Sequence, residues 1–265
     1  MNVRKTLFLM IFPLSVNAQI TPISTEVCNQ MKLSHTITDK NPIGCDRLNS
    51  VKFKFIDFSG KDCTGEVVVL DVLAPQVEDI FRTLYTKAFP LKKAVPLEYY
   101  NGDDKKSMRD NNTSAFNGRS ITNAKEWSKH AYGSAIDINP LNNPYISSQE
   151  SGIMNIMPPE SYNNYVNRIN YQPWKKARPG LAEDVRDVFF SHGFLRWGGY
   201  WDNPIDYQHF EIGSYDYINK LLKEPLDKAR SDFFAYGESY RKCMQDSTEK
   251  NKEYKMKICV EKTMK

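Results

Sequence analysis

The chain has 265 residues, 26% charged and 40% hydrophobic, enough for one sizeable domain or two small ones. Such a composition excludes a disordered tail, a fibrous repeat and a multi-span membrane protein. A net charge of +4 is too weak for a nucleic-acid footprint, so no nucleic-acid partner is expected.

Residues 1–18 read as a secretory signal peptide, with Arg4 and Lys5 at its start, an apolar run over 6–16, and Val16-Asn17-Ala18 as the cleavage site. The run falls short of the roughly 20 residues that span a bilayer, and Pro13 interrupts it. No later segment is apolar enough to span, so no membrane span is expected after cleavage. Losing Arg4 and Lys5 takes the net charge from +4 to +2. The product is then periplasmic or secreted, where disulfides form.

Phe53 and Phe55 alternate with Lys52 and Lys54, and residues 66–72 form an apolar run beyond Gly60 and Gly65. Together they predict a β-hairpin. Pro75 suits a first helical position, and Val77, Ile80, Phe81 and Leu84 share one helical face, ended by Phe89-Pro90. Residues 99–120 read as a polar loop. Residues 134–139 alternate as a strand, Ile136 and Ile138 facing one way, Ala135 and Asp137 the other. Residues 140–180 are rich in Pro, Asn and Tyr without periodicity; in a compact domain so long an irregular stretch is usually a lid or cleft wall. Leu181, Val185, Val188 and Phe189 mark a second helix stopped by Gly193, residues 206–212 a short strand, and the chain beyond 215 is charged and helical. There is no repeat and no regular βαβ alternation. The expected class is α+β, an antiparallel sheet with helices packed on one side, plus a C-terminal helical extension.

Of the five cysteines, Cys243 and Cys259 are expected to clip a helical hairpin. One pair is expected among Cys28, Cys45 and Cys63, leaving one thiol over. No C-x-x-C pair occurs, which argues against a zinc ribbon or a thioredoxin-type site.

Two clusters carry chemistry. The first runs from Ser128 through His130 to Asp137; the second runs from Trp197-Gly198-Gly199-Tyr200-Trp201 to Asp206, His209 and Glu211. A catalytic zinc needs three protein ligands and one open position. His130, Asp137 and His209 would supply two nitrogens and one oxygen, leaving Asp206 as a general base. Taken singly, a His near an Asp is more often a satisfied pair than a ligand. His35 and His192 match no motif and read as structural. H-E-x-x-H and G-x-S-x-G are both absent, so thermolysin-type and α/β-hydrolase readings drop out.

The order S-x-H-x-x-G-x-A-x-D, then D-x-x-H, resembles the zinc peptidases related to D-Ala-D-Ala carboxypeptidases, in the lysostaphin, D-Ala-D-Ala metallopeptidase and Sonic hedgehog superfamily. Residues 112–119, Asp137-Ile138-Asn139-Pro140, Asn143-Pro144-Tyr145 and the Trp-Gly-Gly-x-Trp run extend the resemblance over roughly 50–213. It implies His130, Asp137 and His209 as Zn2+ ligands, Asp206 as catalytic base, and Arg119 as the arginine that binds substrate and stabilises the transition state. It also implies substrate contacts from Ser128 and Trp197, with Glu211 beside His209 supporting the ligand. Tyr200 stands where several endopeptidase relatives carry an acid. The implied organisation is a signal peptide at 1–18, a zinc peptidase domain at 19–213 and a helical extension at 214–265. The implied function is an exported zinc peptidase hydrolysing peptidoglycan stem peptides, first as a D-Ala-D-Ala carboxypeptidase. The alternatives are an L,D- or D,D-endopeptidase on the same scaffold, or a non-catalytic zinc-stabilised binding module. Residues 214–265 read as a hairpin packed on the domain, with a docking surface for the cell wall or a protein partner as the second reading.

Overall fold

The structure is a computed structural model and describes residues 19–121 and 124–264. The expected signal peptide, at 1–18, lies outside the described residues. Gln19–Pro22 (β1), Leu48–Ile56 (β2) and Asp62–Leu70 (β3) form an antiparallel sheet in that order, with β2 and β3 paired from Leu48↔Leu70 to Ile56↔Asp62. This is the expected hairpin, because alternation in β2 puts Val51, Phe53 and Phe55 on one buried face. Thr25–Leu33 (α1) is capped by the Ser24 hydroxyl, which accepts from Val27 N. Ala74–Thr86 (α2) buries Val77, Ile80, Phe81 and Leu84 against the sheet, and the Phe81 ring stacks on Phe53 at 3.7 Å.

The stretch expected as a loop over 99–120 contains two short elements. Asp104–Arg109 (α3) starts at a cap in which Lys106 N donates to Asp103 Oδ1. Lys93–Ala94 (β4) and Asn112–Thr113 (β5) pair in parallel, braced by the Asn112 amide on both backbone groups of Val95. Elements this short have no room to show a period.

Ala135–Asp137 (β6) is followed by Tyr145–Ser148 (β7), Met154–Met157 (β8) and Tyr162–Tyr165 (α4). Arg186–Ser191 (α5), Arg196–Trp197 (β9), Ile205–Asp206 (β10) and His209–Glu211 (β11) come next. They build two further antiparallel sheets, β6-β11-β9 and β10-β7-β8. The α+β class therefore holds, as several small sheets rather than one. Helices pack on one side, α2 on β2, then α5 on α2.

Tyr215–Lys223 (α6), Leu226–Asp246 (α7) and Lys252–Thr263 (α8) complete the chain. Their buried Ile218, Leu221, Phe233, Tyr240 and Met256 belong to the same apolar core as Phe189 and Phe194. A buried side chain of this size contributes about 1.5–3 kcal/mol, so the C-terminal helices are part of the fold's stability. Cys243–Cys259 joins α7 to α8, Cys28–Cys45 ties α1 to the entry of β2, and Cys63 is the free thiol. Both bonds fit an extracellular protein. Among the described residues no helix is long and apolar enough to cross a membrane.

Candidate functional site

β6 and β11 pair with Asp137 opposite His209 and Ile136 opposite Phe210. Period-two alternation then puts Asp137, His209 and Glu211 on one face, while Ile136 and Phe210 enter the core. His130 arrives from a single 3-10 turn, Lys129–Tyr132, in which the Ser128 hydroxyl caps the His130 N–H. Gly133 ends that turn at φ +61°, and a Cβ there would lie 2.5 Å from Leu70 N. Only glycine lets the turn lie against β3, where Leu70 N donates to Gly133 O.

His130 Nε2, His209 Nδ1 and Asp137 Oδ1 converge, at 3.0 Å between the nitrogens, 3.0 Å from His209 to Asp137 and 3.2 Å from His130 to Asp137. The far nitrogens are engaged elsewhere. His130 Nδ1 donates to Ala115 O at 2.5 Å and His209 Nε2 donates to Glu211 Oε2 at 3.1 Å. With those protons assigned, the three converging atoms are all lone-pair donors and none has a proton to share. Such a triangle requires a cation or an added proton at its centre. Tetrahedral zinc ligands at bond lengths of about 2.0–2.1 Å lie about 3.3 Å apart, so the donor set and its spacing both fit zinc.

The electrostatics agree. Burial disfavours a charged His209, yet the carboxylates of Asp137 and Glu211 push it up to about 10. Burial would raise Asp137, but His130 and His209 hold it well below the usual carboxylate range. The same opposition acts on Glu211, which burial would raise and which His209 and Lys129 hold at about 2. Lys129 Nζ donates to Glu211 Oε1 at 2.7 Å and to Gly213 O at 2.7 Å, and Arg196 Nε meets the same Glu211 oxygen at 3.0 Å.

Asp206 sits on β10 opposite Tyr145 of β7. Burial, and then the charge of Asp137, push it up to about 6, while Gln208 Nε2 donates to its Oδ1 at 3.1 Å. A Cβ on Gly198 would meet Asp206 O at 2.5 Å, so glycine there lets β10 approach.

These groups line one cleft of about 560 Å³, together with Arg119, Ser128, Tyr145, Met157 and Trp201. Arg119 is tethered at its mouth, Nε to Asp104 Oδ2 at 3.0 Å and Nη1 to Ser120 O at 3.2 Å. Of the residues expected from sequence, His130, Asp137, His209, Asp206, Arg119 and Ser128 are brought together here. Trp197 is not. Its ring stacks on Phe210 in the core and its Nε1 donates to Tyr207 O. Trp201 lines the cleft in its stead, its ring 5.4 Å from that of His209. Tyr145, Asn155 and Met157 also line it and were not foreseen; the last two reach it only through the pairing of β8 with β7. Part of the irregular 140–180 stretch is thus a cleft wall. His35 and His192 do not line the cleft.

Residues 122–212 match the family model described as D-alanyl-D-alanine carboxypeptidase. The resemblance read from the motifs is borne out over that segment, which holds the three converging side chains and Asp206 but begins after Arg119. The match supports a peptidase. No curated protein and no solved structure matches the chain.

Proposed function

We propose that the chain is an exported zinc peptidase that removes the terminal D-Ala from peptidoglycan stem peptides. His130, Asp137 and His209 would hold the metal, and residues 1–18 would direct export. One observation carries this reading: one ligand atom each from His130, Asp137 and His209 converges on the floor of a cleft, beside a carboxylate whose affinity for a proton is raised. Zinc, when bound there, supplies a Lewis acid that lets water attack at neutral pH and polarises the scissile carbonyl.

The chain's own groups do the rest. Asp206 accepts a proton from the attacking water at its carboxylate and returns one to the leaving amine nitrogen. Arg119 keeps guanidinium N–H groups beyond those bound to Asp104 and Ser120, and these pair the substrate's terminal carboxylate. Glu211 holds the His209 proton on Nε2 and so keeps Nδ1 free for the metal. The wall of Tyr145, Met157 and Trp201 limits water around the reacting bond.

The test is incubation with purified peptidoglycan and its soluble stem peptides, with and without a chelator, with products identified by mass spectrometry. Chelator-sensitive loss of one terminal alanine supports a carboxypeptidase. Internal cuts would move the reading to an endopeptidase. No product from zinc-loaded protein would overturn catalysis in favour of a binding module.

A further inference from the structure

Between Glu160 and Glu183 the sequence has no acidic residue, but it holds Arg168, Lys175, Lys176 and Arg178 among four aromatic side chains. Within this stretch, residues 170–178 form a loop closed at its base. Arg178 N donates to Asn170 Oδ1 at 2.7 Å, Asn170 Nδ2 donates to Arg178 O at 3.1 Å, and Arg178 Nη2 donates to Ile169 O at 2.9 Å. The next turn is anchored to the site. The amides of Asn139 and Asn143 both donate to Gly180 O, at 3.3 and 3.0 Å, directly downstream of Asp137.

The tip of this clamped loop faces outward. Tyr171 is 91% exposed and Trp174 101% exposed, the latter held at φ +63°. A bulky residue with positive φ is strained, and large aromatic rings in water forgo burial. The turn is closed by Lys175 N donating to Gln172 O at 3.3 Å, but neither ring gains burial from the fold. Lys175 and Lys176 directly follow Trp174, are exposed, and make no ion pair among the described residues.

We propose that loop 170–178 seats the protein on an anionic lipid surface, Tyr171 and Trp174 in the headgroup layer and Lys175 and Lys176 over lipid phosphates. Amphipathic aromatic rings favour that layer, and lysines near an anionic leaflet add to the attraction. A neutral glycan could stack on the rings but would leave both lysines without a counter-charge. The proposal does not depend on the peptidase reading, because binding alone tests it.

The test is co-sedimentation with vesicles of phosphatidylcholine alone, or containing about a third phosphatidylglycerol, read beside Trp fluorescence. Wild type and variants carry the same N-terminus, so any contribution from residues 1–18 cancels. Wild type should bind the anionic vesicles with a blue shift that Trp174→Ala removes. Lys175→Gln with Lys176→Gln should lower partitioning about thirtyfold, and Trp174→Ala about tenfold. These side chains face solvent, so the variants should keep the wild-type circular dichroism. Absence of binding by wild type, equal binding by the variants, or Trp174-dependent binding to purified peptidoglycan without vesicle binding would each overturn the proposal.

Discussion

Glu211→Gln separates two jobs that one side chain performs. The carboxylate receives His209 Nε2–H at 3.1 Å with one oxygen, and Lys129 and Arg196 at 2.7 and 3.0 Å with the other. Lys129 and Glu211 side chains are only 6% and 7% exposed, whereas Arg196 is 40% exposed and can regain water. Removing the charge therefore strands one buried ammonium, at a cost of about 3–5 kcal/mol. It also weakens the bond that fixes the His209 tautomer, which should cost about 10–100-fold in zinc affinity. Adding Lys129→Met removes the stranded charge, so the double variant should recover most of the stability and none of the metal affinity. Urea unfolding in chelator reads the first quantity, and competition with a chromophoric chelator the second. Wild-type zinc affinity in the single variant would refute the tautomer argument. A double variant no more stable than the single would refute the charge argument. The sign with pH follows from the lowered carboxyl: this stabilisation, at most about 3 kcal/mol, is full above about 4.5 and is lost as pH falls towards about 2.

Asp206→Asn should lower kcat about 10²–10⁴-fold with zinc content unchanged. Only ionised Asp206 accepts a proton, so kcat/KM should fall on acidification through a value no higher than about 6, and the variant's residual activity should lack that acid limb. An identical limb in both proteins would place the base elsewhere. Gly198→Ala puts a methyl 2.5 Å from Asp206 O and 2.8 Å from its Cβ. It should cost about 1–3 kcal/mol in a melting experiment and, by displacing Asp206, about a hundredfold in kcat; an unchanged kcat would show that β10 does not set the base. Cys243→Ala with Cys259→Ala opens a loop of sequence separation 16 and should cost about 3 kcal/mol in urea unfolding. Reductant should then cost the variant only the contribution of Cys28–Cys45; a variant as stable as wild type would make the Cys243–Cys259 link dispensable.

The elements legible in the sequence are those whose burial has a period. β2 and α2 carry enough apolar positions to show spacings of two and of three to four, and Phe53 meeting Phe81 is the consequence. The 140–180 stretch shows none because β7, β8 and α4 are only four residues each and much of its other order comes from side chains bonding backbone. The Asn143 amide donates to Ile138, Asn139 and Gly180 carbonyls while its oxygen accepts from Ala182 N, and Arg168 donates to Asn142 O. Such bonds depend on which carbonyls come near, and that is decided by the fold. Trp197 illustrates the same limit. The Trp-Gly-Gly-x-Trp spacing marks two rings, but which one is inside depends on β9 pairing with β11, which sets Trp197 opposite Phe210. The motif names the neighbourhood of the cleft and leaves the facing residue to the partner strand.

The converging triad was legible for a different reason. His130, Asp137 and His209 stand on a single turn and two three-residue strands, elements with little stability of their own. Their geometry must be supplied from below and behind. Below, Phe210 stacks between Phe189 at 3.9 Å and Trp197 at 6.2 Å, fixing the strand that carries His209. Behind, Ala115 O and Glu211 fix which nitrogen of each ring carries the proton. Several supports demand a particular residue type close in sequence to the triad, as Phe210 and Glu211 are to His209 and Gly133 is to His130. A candidate metal site built on short elements is therefore written compactly along the chain. The cleft walls are spread over segments far apart in sequence, Arg119 before the triad's turn, Tyr145 on β7, Met157 on β8 and Trp201 beyond β9.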